Sequence, residues 1–294
     1  MPPAPRPPAT ASTSTAARRP RWGLWLLALL WGAAVAAAYS VYAGAISIPE
    51  RFNPWAPLDV AAPPNVLTAA KLSRARSDPQ RCLAALAQTG MRYSVLPDRV
   101  TGPGCGFENA VLLREAGVKL GAPVSLSCPM ALSFAMWERH ALQPAAELHM
   151  GRRVAGIEHL GSYACRNVNR GEAIAPPRSS TSCDSLPPEG AVPARGGPSP
   201  CTPAPDAPPG KRSRHATADA LDIAGFTLAN GKSISVLRQW QADDAAAAAG
   251  PEAQFLKAAQ RGACRYFKGV LGPDYNAAHK DHFHLETGGY GICR

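Results

Sequence analysis

The chain has 294 residues, enough for one sizeable hydrophobic core or for one core with extensions. Its net charge of +10 includes four arginines in residues 1–21, and the other basic residues are scattered without interleaved aromatic side chains. This distribution argues against nucleic-acid binding, although a modest positive surface would suit an anionic polymer. Proline is concentrated in residues 1–21 and 176–209, which are poor in large apolar residues, so we expect a compact part smaller than the whole chain.

Residues 22–46 contain no charged side chain and form an apolar run long enough to cross a bilayer as a helix. Three arginines stand directly before this run, so the positive-inside rule predicts a cytoplasmic N-terminus and export of everything that follows the span. The composition of the tail, 1–21, predicts that it is disordered. A cleaved signal peptide is the alternative, because Ala36–Ala38 offer a small-residue cleavage site. The length of the apolar run favours an uncleaved signal anchor. We therefore expect a single-pass protein of the inner (cytoplasmic) membrane with its C-terminal domain in the periplasm.

The eight cysteines are even in number and include no C-x-x-C pair, which argues against a zinc knuckle or a thioredoxin-type site. Widely spaced cysteines in an exported chain are typical of disulfides. The sequence leaves the pairing open, and we expect Cys183–Cys201 within the proline-rich stretch and Cys264–Cys293 around a histidine cluster. Free buried thiols in a cytosolic protein are the alternative.

The first elements after the apolar run can be placed from prolines, helix-capping residues and the spacing of apolar residues. Residues 47–66 are polar and rich in proline, which indicates a linker that separates the domain from the membrane. A helix is predicted over Thr68–Leu86 from its apolar positions. Ser127 is a suitable N-cap for another helix, with Pro129 in the first turn, and this helix is expected to end near Pro144.

The second half of the chain predicts a hairpin and a further helix. Residues 217–237 alternate in polarity on both sides of Asn230-Gly231, a dipeptide typical of a tight β-hairpin. The helix begins near Pro251, and its apolar side carries Phe255, Leu256, Ala259, Cys264 and Phe267. Helices followed by a hairpin and a late strand indicate an α+β domain over residues 67–294. A proline-rich insertion, 173–211, is expected to interrupt it as a disordered or disulfide-closed loop at the rim of the site.

Three of the seven histidines lie in the stretch His279-Lys-Asp-His-Phe-His284. In a strand, side chains alternate with a period of two, so His282 and His284 would face one side while Phe283 faces the core. Two imidazoles on one strand face, with a third three residues earlier, are costly to bury without partners. The cluster therefore predicts a metal site or an acid–base site, with a chance polar cluster as the alternative.

An upstream segment, Ser213–Asp222, offers further ligands. Asp222 lies in the apolar run ALDIAG, where a carboxylate must either face solvent or have a strong partner such as a cation. His215 precedes it by seven residues. One aspartate and two histidines suit Zn²⁺ and leave a fourth position for water.

The spacing H-x6-D, followed later by H-x2-H-x-H, resembles that of the zinc D-Ala-D-Ala metallopeptidases and murein endopeptidases. These share the Hedgehog/DD-peptidase fold, an antiparallel sheet with flanking helices. More closely, the chain resembles the bacterial extensin-like C-terminal domain family over about residues 47–172 and 212–294. The matching pieces are IPERFNPWAPLD, CPMALSFAMWERHALQPAA, GIEHLGSYACRNVN, HATADALDIAGF, GACRYFKGVLGPDYNAAHKDHFHLE and the terminal CR.

The resemblance implies a zinc ion bound by His215, Asp222 and His284. It also implies that His282 lies beside the metal as catalytic base or stabiliser of an intermediate, and that His279 is a second catalytic histidine. Arg166 would bind a substrate carboxylate, because a guanidinium pairs with carboxylates bidentately, and a structural arginine beside a disulfide is the alternative.

Two residues depart from the pattern of the peptidases. Ala218 stands where their motif usually has glycine three residues after the first histidine, and Arg214 stands where close relatives have glutamate. Neither departure removes a ligand, but a methyl group at a close approach could shift the segment that carries His215.

The expected function is that of a membrane-anchored periplasmic zinc metallopeptidase that hydrolyses peptidoglycan peptides as an endopeptidase or a carboxypeptidase. Its expected cofactor is Zn²⁺, and its expected partners are peptidoglycan and, through the N-terminal helix, the membrane. A non-catalytic wall-binding or scaffold domain on the same fold is the main alternative. A secreted disulfide domain that binds a protein partner is a third hypothesis, favoured if the histidines lie far from Asp222.

Overall fold

A computed structural model describes residues 22–168, 211–241, 250–289 and 291–294. The chain divides into two compact units between Pro49 and Glu50. The expected tail 1–21 and the expected pair Cys183–Cys201 lie outside the described residues, as does the insertion 173–211 except for its last residue.

The described part of the first unit is dominated by one apolar helix, α1, which spans Trp22–Tyr42. Its 21 residues and mean hydropathy of 1.9 make it long and apolar enough to cross a membrane. The helix ends four residues before the end of the predicted span, 22–46, because the chain turns at Gly44 with a positive φ of 72°.

The second unit contains six helices among the described residues. They are α2 Thr68–Arg76, α3 Pro79–Ala87, α4 Cys128–Trp137, α5 Gln143–Met150, α6 Val236–Gln239 and α7 Pro251–Ala263. The single helix predicted over Thr68–Leu86 is wrong, since the chain breaks between α2 and α3. Asp78 takes an extended conformation there and accepts a hydrogen bond from the Arg81 N–H at 2.8 Å, so it caps α3 with Pro79 in the first turn.

The helix predicted from Ser127 begins as expected. The Ser127 hydroxyl oxygen accepts a hydrogen bond from the Met130 N–H, and Pro129 occupies the first turn of α4. Its predicted end near Pro144 is wrong, because the chain continues through a wide helical turn, Glu138–Leu142, directly into α5. The wide turn shifts the hydrogen-bond register, and Pro144 then falls in the first turn of α5, where a missing N–H costs nothing.

Most described strands form one nine-stranded sheet, while β2 and β3 pair separately. The sheet order is β1-β4-β5-β6-β7-β10-β9-β11, and β8 pairs with β7. The strands are β1 Arg92–Leu96, β2 Arg99–Gly102, β3 Cys105–Phe107, β4 Ala110–Glu115, β5 Lys119–Ser127, β6 Val154–Gly161, β7 Ala220–Leu228, β8 Ser233–Ser235, β9 Gly269–Leu271, β10 Phe283–Glu286 and β11 Ile292–Cys293. The α+β class is confirmed. An antiparallel sheet is only partly right, because the pairs β5–β6 and β9–β11 are parallel.

The predicted hairpin is confirmed as β7 and β8, which are joined through Asn230-Gly231 with Gly231 at φ 83°. Strand β7 is central to the site, because it pairs with β6 on one edge and with β10 on the other. Its pairing with β6 skips Ala224, which is a β-bulge. Leu221 and Ile223 before the bulge and Phe226 after it are therefore all buried in the core.

Helices α4 and α7 cover one face of the central strands with aromatic side chains. The ring of Phe226 lies 5.3 Å from that of Phe255 on α7 and 6.4 Å from that of Trp137 on α4, centroid to centroid. Phe283 of β10 packs into the same cluster and is fully buried, as its alternation with the neighbouring histidines predicts. The helical face is thus the core, and the opposite face of β7 and β10 is left for polar side chains.

Disulfides and an N-terminal segment complete the described part of the second unit. The disulfides are Cys82–Cys128, Cys105–Cys165 and Cys264–Cys293, so the expected pair Cys264–Cys293 is confirmed. Part of the expected linker, 47–66, packs against the helices: Leu58 and Val60 are buried, and the Lys71 ammonium donates to the Glu50 carbonyl at 2.7 Å. These contacts tie that stretch to the compact unit.

Candidate metal and catalytic site

The site is built around two side chains that the sheet places opposite each other. In the antiparallel pair β7–β10, Asp222 is the register partner of His284. Their side chains project from the same face, opposite to the buried Phe283. The His284 Nδ1 atom lies 2.8 Å from the Asp222 Oδ1 atom.

His215 reaches this pair from a short 3₁₀ turn, Arg214–Thr217, that directly precedes β7. Ser213 caps the turn by accepting a hydrogen bond from the His215 N–H, so the turn begins at a defined residue. The His215 Nε2 atom lies 3.2 Å from Asp222 Oδ2 and 3.1 Å from His284 Nδ1. The three predicted metal ligands therefore offer ligand atoms within 4.8 Å of one another.

The outer nitrogen of each ligand histidine is held by a hydrogen-bond acceptor. His215 Nδ1 donates to the Ser162 carbonyl oxygen, and His284 Nε2 lies 3.2 Å from the Glu286 carboxylate and donates to it. With the proton on the outer nitrogen of each neutral ring, lone pairs of both inner nitrogens point at Asp222. Three lone-pair atoms converge on one point and need a cation between them, either a proton or a metal ion.

The spacing of the ligand atoms suits zinc. Zinc–ligand bonds of about 2.0–2.1 Å in a tetrahedron place neighbouring ligand atoms roughly 3.3 Å apart. His284 Nδ1 lies 2.8 Å from Asp222 Oδ1 and 3.1 Å from His215 Nε2, and both separations are close to that value. His215 Nε2 lies 3.2 Å from the other carboxylate oxygen, Asp222 Oδ2. Two imidazoles and one carboxylate also match the ligands that zinc takes in catalytic sites, where a fourth position stays open.

The pKa values of Asp222 and His284 also indicate that a positive charge is stabilised between these residues. Burial disfavours the charge on Asp222, but the interactions with His215 and His284 outweigh burial and hold the pKa of this carboxyl far below its usual range. For His284, burial again opposes the charge, while the carboxylates of Asp222 and Glu286 raise the pKa of the imidazole to about 9. A proton on His284 thus takes the place that a metal ion would fill.

His282 lies beside the three ligands, one residue before β10. Its Nε2 atom is 3.6 Å from Asp222 Oδ1, and its Nδ1 atom is 2.8 Å from the Asp281 carboxylate. The Asp281 carboxylate accepts the Nδ1 proton and so directs the Nε2 lone pair towards the site. This aspartate–histidine pair is the arrangement of a general base.

His279 stands on the outer side of His282, with their ring centroids 5.3 Å apart. Its Nδ1 atom lies 2.7 Å from Asn276 Oδ1, which also accepts the Ala278 N–H at 3.0 Å, so the acceptor is an oxygen and His279 Nδ1 carries the proton. Burial, followed by the nearby charges of His282 and His284, lowers the pKa of His279 to about 4. His279 is therefore neutral at pH 7, with its proton on Nδ1 and a lone pair on Nε2.

Arg166 lines the same cleft, which has a volume of about 440 Å³. The preceding residue, Cys165, is bonded to Cys105 in β3, so a disulfide fixes the segment at the edge of the cleft. The Arg166 charge also acts on His279. The structure thus brings all six predicted site residues to one cleft: Arg166, His215, Asp222, His279, His282 and His284.

Comparison with known proteins identifies the family. The family described as Extensin-like protein C-terminus matches residues 80–182 and 199–294. The chain belongs to this extensin-like family. Searches of curated proteins and of solved structures found no match. The gap between the two matched ranges falls within the proline-rich stretch, and the matched ranges contain every site residue of this extensin-like domain.

Ala218 shows why the corresponding position suits glycine. It ends the 3₁₀ turn with φ 55° and ψ 21°, a left-handed conformation that disfavours side chains, and it is fully buried. The extensin-like domain nevertheless holds the turn, because the Ala218 carbonyl accepts the Ser127 N–H at 2.9 Å. The methyl group has therefore not displaced His215 from the other ligands.

Three polar partners of the histidines were missed at the sequence level: Asn276, Asp281 and Glu286. Glu286 follows His284 by two residues in HFHLE, so the alternation that aligned the two histidines also places this carboxylate on their face. Asp281 is adjacent to His282 and carries a similar local signal. Asn276 caps the short turn that ends at His279, so it too is a local partner. The Ser162 carbonyl carries no such signal, because it lies 53 residues from His215.

Proposed function

We propose that this extensin-like protein is a membrane-anchored zinc peptidase that hydrolyses peptide bonds of peptidoglycan outside the cytoplasmic membrane. The observation that carries the proposal is the convergence of three lone-pair atoms from His215, Asp222 and His284, with both outer ring nitrogens already held. A structural zinc site would close with four protein ligands, whereas this cluster has three ligands and two further histidines beside them.

The residues that surround the ligands have the chemistry for hydrolysis. When bound there, zinc would act as a Lewis acid on a carbonyl group and on water. His282, oriented by Asp281, takes the proton from the attacking water through Nε2. The same proton returns to the leaving amine from His282, or from His279 after its transfer to the His279 Nε2 atom. Arg166 orients the substrate by pairing with a carboxylate.

The location follows from the N-terminal segment and the disulfides. The helix α1 is long and apolar enough for a membrane span, and three arginines before it favour a cytoplasmic N-terminus. Disulfides in the second unit require an oxidising compartment. We therefore infer a domain that faces the cell wall. A relationship to the zinc D-Ala-D-Ala peptidases and their Hedgehog/DD-peptidase fold forms part of this proposal.

The test uses the full chain in detergent, with metal analysis and mass spectrometry of isolated peptidoglycan after incubation. His284→Ala should lose both zinc and hydrolysis, whereas His282→Ala should retain zinc and lose hydrolysis. His149→Ala, at the end of α5 and away from the cleft, is the matched control and should change neither. If the purified chain binds no metal, the proposal is contradicted. Zinc binding without cleavage of any wall peptide would support the wall-binding alternative instead.

A further inference from the structure

A second arginine borders the cleft from the turn that carries His215. Arg214 lines the cleft together with Arg166. The segments that carry the two arginines are paired, since the Ser213 N–H donates to the Arg166 carbonyl at 3.0 Å and Asn167 faces Arg212 in an antiparallel bridge. Like charges on neighbouring paired segments repel each other, so the arrangement favours a bound anion.

The backbone of Arg214 is held firmly. Its carbonyl oxygen accepts the Asp219 N–H at 3.0 Å and the Thr217 hydroxyl at 3.3 Å. The same turn carries His215, so the backbone of Arg214 and that of the metal ligand are held together. A side chain on a fixed backbone loses less entropy when it binds a ligand.

The side chain of Arg214 lies against the turn Gly288-Gly289 after β10. A Cβ atom at Gly288 would lie 2.5 Å from the Arg214 Cζ atom and 2.7 Å from its Nε atom. Only a residue without a side chain leaves this space, so the turn sets where the guanidinium rests. Glycine here has a steric role rather than a conformational one, because Gly288 has no positive φ.

Among the residues that the structure describes, no carboxylate pairs with the Arg214 guanidinium. Glu286 is a neighbour, but its Oε2 atom is engaged by His284 Nε2. By contrast, the nearby Arg212 is satisfied by the Pro103 carbonyl at 3.0 Å and by Asn167 Oδ1 at 2.9 Å. Within the described part of the chain, Arg214 is therefore a donor fork without a carboxylate partner, next in sequence to the metal ligand His215.

We propose that Arg214 forms a second carboxylate subsite, so that the preferred substrate is a peptide with two carboxylates near the reacting bond. This inference rests on the proposed function and specifies its substrate class. Arg166 binds one carboxylate and Arg214 binds the other, on the side of the cleft next to Gly288. An acidic side chain close to a free C-terminal carboxylate satisfies both guanidinium groups.

The experiment compares two isosteric probes, acetyl-D-Glu-D-Ala and acetyl-D-Gln-D-Ala, for binding to the full zinc-loaded chain in detergent by calorimetry. Wild type should prefer the glutamyl peptide by about tenfold, the typical effect of one charge-assisted hydrogen bond pair at a partly exposed site. Arg214→Gln should abolish the preference while leaving the affinity for the glutaminyl peptide unchanged. Arg261→Gln, an exposed arginine on α7, controls for the change in net charge.

A second pair of variants leaves Arg214 in place: one of them displaces its guanidinium, and the other is a control. Gly288→Ala should reduce the preference at least about threefold, because the new methyl group displaces the flexible end of the arginine. Gly291→Ala is the matched control, since a Cβ at Gly291 meets nothing within 4 Å.

The outcomes separate this inference from the proposed function. A charge preference that disappears in Arg214→Gln supports the subsite even if neither probe is hydrolysed. Hydrolysis of both probes with equal affinity, or an unchanged preference in Arg214→Gln, overturns the subsite and leaves the peptidase proposal standing. Failure of both probes to bind wild type overturns the subsite as well.

Discussion

Replacing Glu286 tests whether the second shell of the site determines its metal affinity. The Glu286 carboxylate lies 3.2 Å from His284 Nε2, and this contact keeps the proton on the outer nitrogen so that Nδ1 faces Asp222. Glu286→Gln keeps an acceptor but removes its charge, whereas Glu286→Ala removes both. The two substitutions therefore weaken the same hydrogen bond to different extents.

The expected magnitudes follow from the contact. A hydrogen bond to a charged group is worth about twice a neutral one, so Glu286→Gln should lose roughly 1 kcal/mol, or about fivefold in zinc affinity. Glu286→Ala should lose about 10- to 100-fold, as is typical when a partner of a ligand histidine is removed. In the metal-free protein, both substitutions should lower the pKa of His284 from about 9, because one of its two carboxylate partners is lost or neutralised.

The assay is a competition titration of zinc against a chelating dye, with the full chain in detergent. An NMR titration of the His284 ring in the metal-free protein supplies the second measurement. Glu115→Gln is the control, because that carboxylate pairs with Arg92 on the exposed edge of the sheet. If Glu286→Ala binds zinc as tightly as wild type, then His284 does not present Nδ1 to the metal and the assignment of ligand atoms is wrong.

Three further predictions concern pH, the left-handed turn and a disulfide. Folding raises the pKa of His284, so its protonation stabilises the metal-free protein fully below about pH 6.5, and this contribution is lost as the pH rises through about 9. Urea unfolding should show a decrease of up to roughly 3 kcal/mol in the free energy of unfolding over this range. A free energy of unfolding that stays constant or increases over this range would contradict the charge assignment. Ala218→Gly should change the free energy of unfolding by less than about 1 kcal/mol, since relief of the left-handed strain offsets the added chain entropy, while Ala218→Val at this buried position should destabilise the protein by more than about 2 kcal/mol. Replacing both cysteines of Cys105–Cys165 by serine should weaken peptide binding through Arg166 but retain zinc, because the three ligands lie on other segments; loss of zinc in that variant would show that the disulfide supports the ligands directly.

Several features of the fold and the site were predictable because they depend on local sequence. The apolar run that contains α1, the cap at Ser127 and the turn at Asn230-Gly231 each use signals within a few residues. The alternation in HFHLE likewise placed Phe283 in the core and the histidines on the other face. The break at Asp78-Pro79 carried a local signal too, an N-cap followed by proline, which the apolar pattern of residues 68–86 obscured.

Other features could not be predicted because they depend on contacts between distant segments. The parallel pairs β5–β6 and β9–β11 follow from how crossovers pack, and no single strand encodes its neighbour's direction. The helical conformation continues past Pro144 because the wide turn before it shifts the hydrogen-bond register, and no local sequence signal indicates that turn.

By itself, the sequence determined which chemical groups the site contains and which face of a strand they occupy, because residue type and a period of two are local properties. The tertiary structure decided that these groups meet. His215 reaches His284 across 69 residues of sequence, and its outer nitrogen is held by the Ser162 carbonyl 53 residues earlier. The register of β7 against β10 sets Asp222 opposite His284, and that register is selected by burial of Ile223, Phe283 and Leu285 in one core. The ligand distances are consequences of packing, which no local pattern can specify.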